Sequence, residues 1–223
     1  MHIENSQDFG LLDVKTLFVV STVILAIVST IMVFSYLKNK QNSALKYLTL
    51  FIAIHFIGFI GFILRNQIPD FISIIVANTL FAVGTLCLYL AIKAITGINP
   101  IWHNRYFIPV LMFFIGFIIF TYIEYDIRAR IFIYYFFCFI YTASIAWILW
   151  SNISERFRIF DRASALFFTI LAIVFLGVVF QASFLRIQAY YFSNSNTFMI
   201  LSIFIINLLS FWTLGAIKYR VKN

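Results

Sequence analysis

The sequence is poor in charge. Only 11% of its 223 residues are charged, whereas 63% are hydrophobic. A water-soluble domain does not need so large an apolar fraction, so the composition points to a membrane protein. The only two cysteines, Cys87 and Cys138, lie inside apolar stretches and form neither a disulfide framework nor a CxxC metal pattern.

Motifs for soluble catalysis are missing as well. The sequence contains no glycine-rich phosphate loop, no His/Glu metal motif and no nucleophile elbow. The segments between the apolar stretches are short, and even the longest of those predicted to be cytoplasmic, Ile95–Arg105 and Ser151–Arg162, leave no room for a soluble domain. We therefore expect that the chain is not an enzyme and uses neither a cofactor nor a metal.

Seven long apolar runs dominate the sequence. A bilayer core about 30 Å thick requires about 20 apolar residues per helix, and a helix satisfies its own backbone hydrogen bonds in lipid. A β-barrel would instead alternate apolar and polar residues. We predict an all-α integral membrane bundle of seven transmembrane helices, forming one domain over residues 1–223. The runs are Leu11–Leu37, Ala44–Leu64, Phe71–Ile95, Tyr106–Ile123, Ile131–Trp150, Ala163–Leu185 and Thr197–Ile217.

The basic residues are distributed unequally between alternate loops. One side receives 11 of the 16 basic residues and two acidic ones, and the other receives five basic and six acidic residues. The positive-inside rule then places the N-terminus outside and the C-terminus in the cytoplasm. The net charge of +8 is explained by anionic inner-leaflet lipid, without nucleic acid. Because residues 1–13 are acidic and the first run is long, we expect an uncleaved anchor instead of a signal peptide.

Two segments resemble a known family. They are Leu12-Asp-Val-Lys-Thr-Leu-Phe-Val-Val-Ser21 and Leu64-Arg-Asn-Gln-Ile-Pro-Asp-Phe-Ile-Ser-Ile-Ile-Val-Ala-Asn-Thr-Leu80. Together they resemble the N-terminal membrane module that many bacterial diguanylate cyclases carry ahead of their GGDEF domain. A weaker similarity extends to Thr213-Leu-Gly215. The resemblance implies a sensory role in the bacterial inner membrane, whereas the GGDEF sequence itself is absent. The chain is therefore expected to be a module of a longer protein or a stand-alone relative.

Polar residues inside the apolar runs are candidate site residues, because they are costly in a membrane. Arg65 and Asn78 lie near the turn between the second and third runs, and Gln181 and Arg186 lie at a similar depth in the sixth. We hypothesise that these four residues bind a small anionic or hydrogen-bonding ligand at the outer face. Alternatively, the amides pack against a neighbouring helix, and the arginines contact lipid headgroups.

His55 is the fifth candidate, in the middle of the second run. A neutral packing role competes with a ligand-binding or pH-sensing role. Haem is disfavoured because His2 and His103 lie at opposite edges of the membrane and cannot provide a facing partner. Retinal is disfavoured because Lys218 lies at the inner exit of the seventh run instead of its middle.

These features predict a sensory or regulatory membrane module. It would bind an unknown ligand outside and signal through the last helix, which leads to Lys218, to a cytoplasmic output domain or partner protein. Membrane lipids and a second copy in a homodimer are further expected partners. A small transporter or channel is the alternative, although it predicts more polar residues along a transmembrane path than His55 and Asn207. A lipid-handling enzyme would need clustered acidic and histidine side chains at one interface.

The predicted orientation can be tested with reporter fusions after Asn223. A GFP fusion should fluoresce and an alkaline phosphatase fusion should be inactive, because the basic residues hold this end in the cytoplasm. The reverse pattern, with an active phosphatase and a dark GFP, would show that the orientation is wrong.

Overall fold

The computed structural model describes residues 14–100, 106–155 and 157–184, together with Ile205, Leu209, Trp212 and Gly215. Within these residues the fold is built from helices. They are α1 (Val14–Lys38), α2 (Ser43–Ile63), α3 (Ala77–Ile95), α4 (Phe107–Ile118), α5 (Ile127–Ser151) and α6 (Arg158–Phe184). Two π-helical segments, Phe71–Val76 and Ile119–Ile123, precede α3 and follow α4.

Five of the described helical segments are long and apolar enough to cross a membrane. They are Val19–Lys38, Ser43–Ile63, Phe71–Ile95, Ile127–Ser151 and Arg158–Ser183. Large apolar side chains such as Trp147 and Ile173 are exposed on the outer surface of the bundle, as expected of a surface that lipid surrounds. The predicted all-α fold is confirmed within the described residues, and the five candidate membrane-spanning helices support the multi-pass prediction.

The fourth predicted run also forms a helix, but a short one. Phe107–Ile123 contains 17 residues, which corresponds to about 25 Å at the rise of an α-helix. That is less than the hydrocarbon thickness of a typical bilayer. A fourth span would therefore require local thinning of the bilayer or residues beyond the helix. The seventh run lies outside the described residues except for four positions.

Helix boundaries follow local capping signals. Asn42 precedes α2 and accepts a hydrogen bond from the Leu45 backbone N–H at 3.1 Å. Asp126 precedes α5 and accepts hydrogen bonds from two backbone N–H groups in the first turn. At the other end of α3, Gly97 adopts φ +78°, and the N–H of Ile98 bonds to the carbonyl of Lys93 at 2.8 Å. This is a Schellman motif, which ends the helix before Pro100.

The helices pack largely in antiparallel pairs. The closest pairings are α1 with α2, α2 with α3, and α5 with α6. Contact between α3 and α5 joins the group α1–α3 to the group α5–α6. Helix α4 lies against α3 and α5. We call the end that carries turns 64–70 and 124–126 the π-helical end, because both π-helical segments lie there. The opposite end carries turn 39–42 and the segment 152–155 that follows α5.

The last predicted helix contacts α6 at the positions that the structure describes. Ile205 and Leu209 are buried in the core, and Trp212 follows three residues later. The indole N–H of Trp212 donates to the Ser164 hydroxyl at 2.8 Å, and its ring meets the Phe168 ring edge-on at 5.3 Å. The spacing of four and then three residues places these side chains on one helical face.

Small residues bring α2 and α3 close together. Gly61 faces Ala77, Gly58 faces Phe81, and Gly84 faces His55 in an antiparallel register. A Cβ atom at position 84 would come within 3.0 Å of the imidazole of His55. Such small-residue contacts are a common means of packing helices in membranes, so Gly84 allows His55 to occupy the interface.

This contact predicts a specific effect of substitution at Gly84. Gly84→Ala should lower the free energy of unfolding by about 1–3 kcal/mol, because the added methyl displaces the buried imidazole. SDS titration of the purified protein in mixed micelles measures the change. Gly177→Ala in α6 is the matched control, because a Cβ there meets nothing within 4 Å. The loss of unfolding free energy caused by Gly84→Ala should be smaller when His55 is also replaced by Ala. An equal loss with and without His55→Ala would contradict the assigned contact.

Candidate functional site

His55 lies inside the α2–α3 interface. It is only 4% exposed, and its Nδ1 lies 2.9 Å from the carbonyl oxygen of Phe51 one turn earlier. The rings of Phe51 and Phe81 contact the imidazole at centroid distances of 4.6 and 5.2 Å. With Nδ1 donating to the carbonyl, the residue has the environment of a packed, hydrogen-bonded histidine. Its predicted ligand-binding role would require the helices to separate.

Arg65 and Asn78 lie near the π-helical end of the α2–α3 pair. Arg65 is exposed in the turn after α2, where Asn66 adopts the left-handed conformation with φ +71°. Asn78 is partly buried in the first turn of α3, about one helical turn below Arg65 in the register set by Gly61 and Ala77. The Asn78 amide nitrogen donates to the carbonyl of Ile74 in the preceding turn, which leaves its side-chain oxygen for a ligand.

Gln181 lies at the same end but on another part of the bundle. It is exposed on α6, which packs chiefly against α5. Since α5 in turn packs against α3, it lies between Gln181 and the α2–α3 pair. The structure thus places Arg65 and Asn78 near the same end of the α2–α3 pair and places Gln181 on a different helix. Arg186, the fourth member of the predicted site, lies outside the described residues.

Two basic side chains that the sequence interpretation did not select are buried. Lys93, in the last turn of α3, donates to the Tyr106 hydroxyl at 3.0 Å and lies over the rings of Tyr89 and Tyr106. Arg130, in the second turn of α5, is 8% exposed. The sequence alone does not tell which of Arg128 and Arg130 turns inward, because this depends on the helix phase and on the neighbouring elements.

The other charged groups at the π-helical end are exposed or act as a helix cap. Arg128 and Glu124 are exposed. The Asp126 carboxylate caps α5 through the N–H groups of Arg128 and Ala129. Across the described part of the chain, no group of three His, Cys, Asp or Glu side chains is arranged to hold a metal ion.

No family model, curated protein or solved structure matches the chain. The resemblance to diguanylate cyclase membrane modules is carried by the quoted segments alone and stays a prediction.

Arg65 and Asn78 give a direct test of the predicted outer site. A fusion of the full chain to a GGDEF cyclase domain would report ligand responses as cellular cyclic di-GMP. Arg65→Ala and Asn78→Ala should abolish the response to whole spent medium and leave the melting temperature nearly unchanged, because neither side chain bonds to a second helix in the described structure. Gln67→Ala, in the same exposed turn, should respond normally. A full response from both site variants would refute the assignment.

Proposed function

We propose that the chain is a seven-span sensory or regulatory module of the bacterial inner membrane. In this proposal the N-terminus is outside, a small ligand binds at the outer face, and the last helix passes the signal to a cytoplasmic output. The chain itself performs no catalysis. The output is a fused domain or a separate partner protein, in keeping with the resemblance to the membrane modules of diguanylate cyclases.

The charge of the two ends of the bundle supports the proposed orientation. Basic residues concentrate at the opposite end, which carries Lys38, Lys40, Lys46, Lys93, Arg158 and Arg162 among the described residues. The opposite end also carries Glu155 and Asp161, whereas the π-helical end carries Arg65, Arg128 and Arg130 together with Asp70, Glu124 and Asp126. A cytoplasmic opposite end and an external π-helical end agree with the positive-inside rule.

The strongest support for signalling through the last helix is the contact between Trp212 and α6. The indole bonds to Ser164, meets Phe168 edge-on and stacks with Phe160 at 6.2 Å. Gly215 lies one turn further along, where a Cβ atom would come within 3.6 Å of the Phe160 ring. A rotation or shift of α6 would therefore move the segment that leads to Lys218. Interfaces of this kind have discrete arrangements and can transmit a small displacement.

The transmission route can be tested in the cyclase fusion without knowing the ligand. Trp212→Leu removes the hydrogen bond to Ser164 and the ring contacts. The variant should change the basal cyclic di-GMP level at least about twofold at equal expression. A change of about 0.4 kcal/mol suffices to shift a two-state equilibrium that far. Trp147→Leu is the matched control, because that indole is 74% exposed on the surface of α5. Equal basal output from both variants and the parent fusion would argue against the route.

A further inference from the structure

Arg130 is a buried cation at the π-helical end. It is the fourth residue of α5, about 4.5 Å along the axis from the first residue at the usual rise. Only 8% of the residue is exposed. Its guanidinium carbon lies 5.0 Å from the ring centroid of Tyr125. Because Tyr125 is itself 72% exposed, its ring covers the guanidinium from the outside.

The guanidinium lacks a hydrogen-bonding or ionic partner within the described part of the chain. Its Nε is buried and makes no hydrogen bond. The acidic groups nearest in sequence do not pair with the guanidinium in the described structure. The Asp126 carboxylate caps the helix, and Glu124 is exposed. An arginine cannot relieve this situation by losing its proton. A buried charge without a partner is costly, and the stacked Tyr125 ring offsets only part of that cost.

A second unsatisfied polar group lies on the adjoining element. The Thr121 hydroxyl oxygen, in the π-helical segment Ile119–Ile123, is buried and has no hydrogen-bond partner among the described residues. Seven other threonines in the described helices bond to the carbonyl four residues earlier; they are Thr30, Thr49, Thr79, Thr85, Thr96, Thr142 and Thr169. Thr121 departs from that pattern where the helix changes to π-helical spacing.

The π-helical segment and the start of α5 are joined directly. The Asp126 N–H donates to the carbonyl of Phe120 at 3.2 Å, and the segment packs on α5. The side chain of Ile133 on α5 fills the space beside Gly116, which fixes the antiparallel register of α4 and α5. This register puts Thr121 and Arg130 at the same end of the pair, where a cation and a hydroxyl both lack an acceptor.

We propose that Arg130, Thr121 and the Tyr125 ring form a binding site for an oxyanion, either a phosphate or a carboxylate. The planar guanidinium suits two oxygens of such a group, and the hydroxyl can donate to a third or to the same oxygen. The exposed Arg65 and Arg128 at this end add a favourable long-range field. The oxyanion can belong to an anionic lipid headgroup or to a small soluble molecule. This site shares no residue with the predicted Arg65–Asn78 site and does not depend on a signalling role.

Thermal unfolding of the purified full chain in a neutral detergent tests the site. Sodium phosphate and sodium acetate, each compared with chloride at equal ionic strength, represent soluble oxyanions. Mixed micelles with phosphatidylglycerol, compared with phosphatidylcholine, represent the lipid. At least one of these probes should raise the melting temperature by several degrees, because a ligand that binds only the folded state stabilises it. A rise with phosphatidylglycerol alone identifies a headgroup site, and a rise with phosphate or acetate identifies a soluble ligand. No rise with any probe overturns the proposal.

Arg130→Met separates a binding site from a structural role. The variant should lose the rise and, without added anion, melt at the same or a higher temperature than the parent, because an unpaired buried charge has been removed. Arg128→Met, the exposed neighbour in the same helix, should keep the rise. A lower anion-free melting temperature for Arg130→Met, or an unchanged rise, contradicts the proposal. If Arg130→Met does not fold, two other variants test the site. Arg130→Lys and Thr121→Val should each raise several-fold the probe concentration that gives half of the rise in melting temperature. An unchanged half-maximal concentration in both variants would overturn the proposal.

Discussion

The close approach of α2 and α3 is the contact on which the rest of the bundle depends. Glycines at positions 58, 61 and 84 let the two helices meet along their length, with His55 and Phe81 filling the space that the missing side chains leave. The paired helices then fix the turn at 64–70 and the π-helical start of the third span. Because α3 also contacts α4 and α5, its position orients the second half of the bundle. Lipid offers no hydrophobic driving force between helices, so such backbone proximity replaces it.

Most hydroxyl and amide side chains in this bundle bond to their own helix. Thr85, Ser144 and Asn78 each donate to the carbonyl of the preceding turn. This arrangement satisfies polar groups without binding one helix to another. The exceptions connect separate elements, as Thr49 does with the Met32 carbonyl at 3.2 Å and Trp212 does with Ser164. Such bonds between helices are modest in energy in membranes but fix the register.

The apolar runs predicted the fold well because their length and composition reflect the thickness of the bilayer. The third run coincides with the span Phe71–Ile95, and the second differs from α2 by one residue at each end. The fifth helix starts at Ile127 instead of Ile131, because the Asp126 cap begins it within the charged turn.

Burial of individual side chains was less predictable. Alternating arginines at 128 and 130 look equivalent in the sequence, whereas the helix phase set by that cap buries only Arg130. Asn78 and His55 were recognisable as polar residues in apolar runs, but their bonds to carbonyls of their own helix follow from side-chain geometry that the sequence does not carry.

The two ends of the bundle differ in how their polar groups are satisfied. At the opposite end, Lys93 bonds to Tyr106, and the Asp161 carboxylate accepts the Ser154 N–H at 2.9 Å. At the π-helical end, the Arg130 Nε and the Thr121 hydroxyl have no hydrogen-bond partner in the part of the chain that the structure describes. Unsatisfied buried groups raise the energy of the ligand-free state, so a molecule that satisfies them gains that energy on binding. Since α5 runs from Arg130 to the turn before α6, and α6 contacts Trp212, two continuous helices connect the proposed oxyanion site with the proposed transmission route.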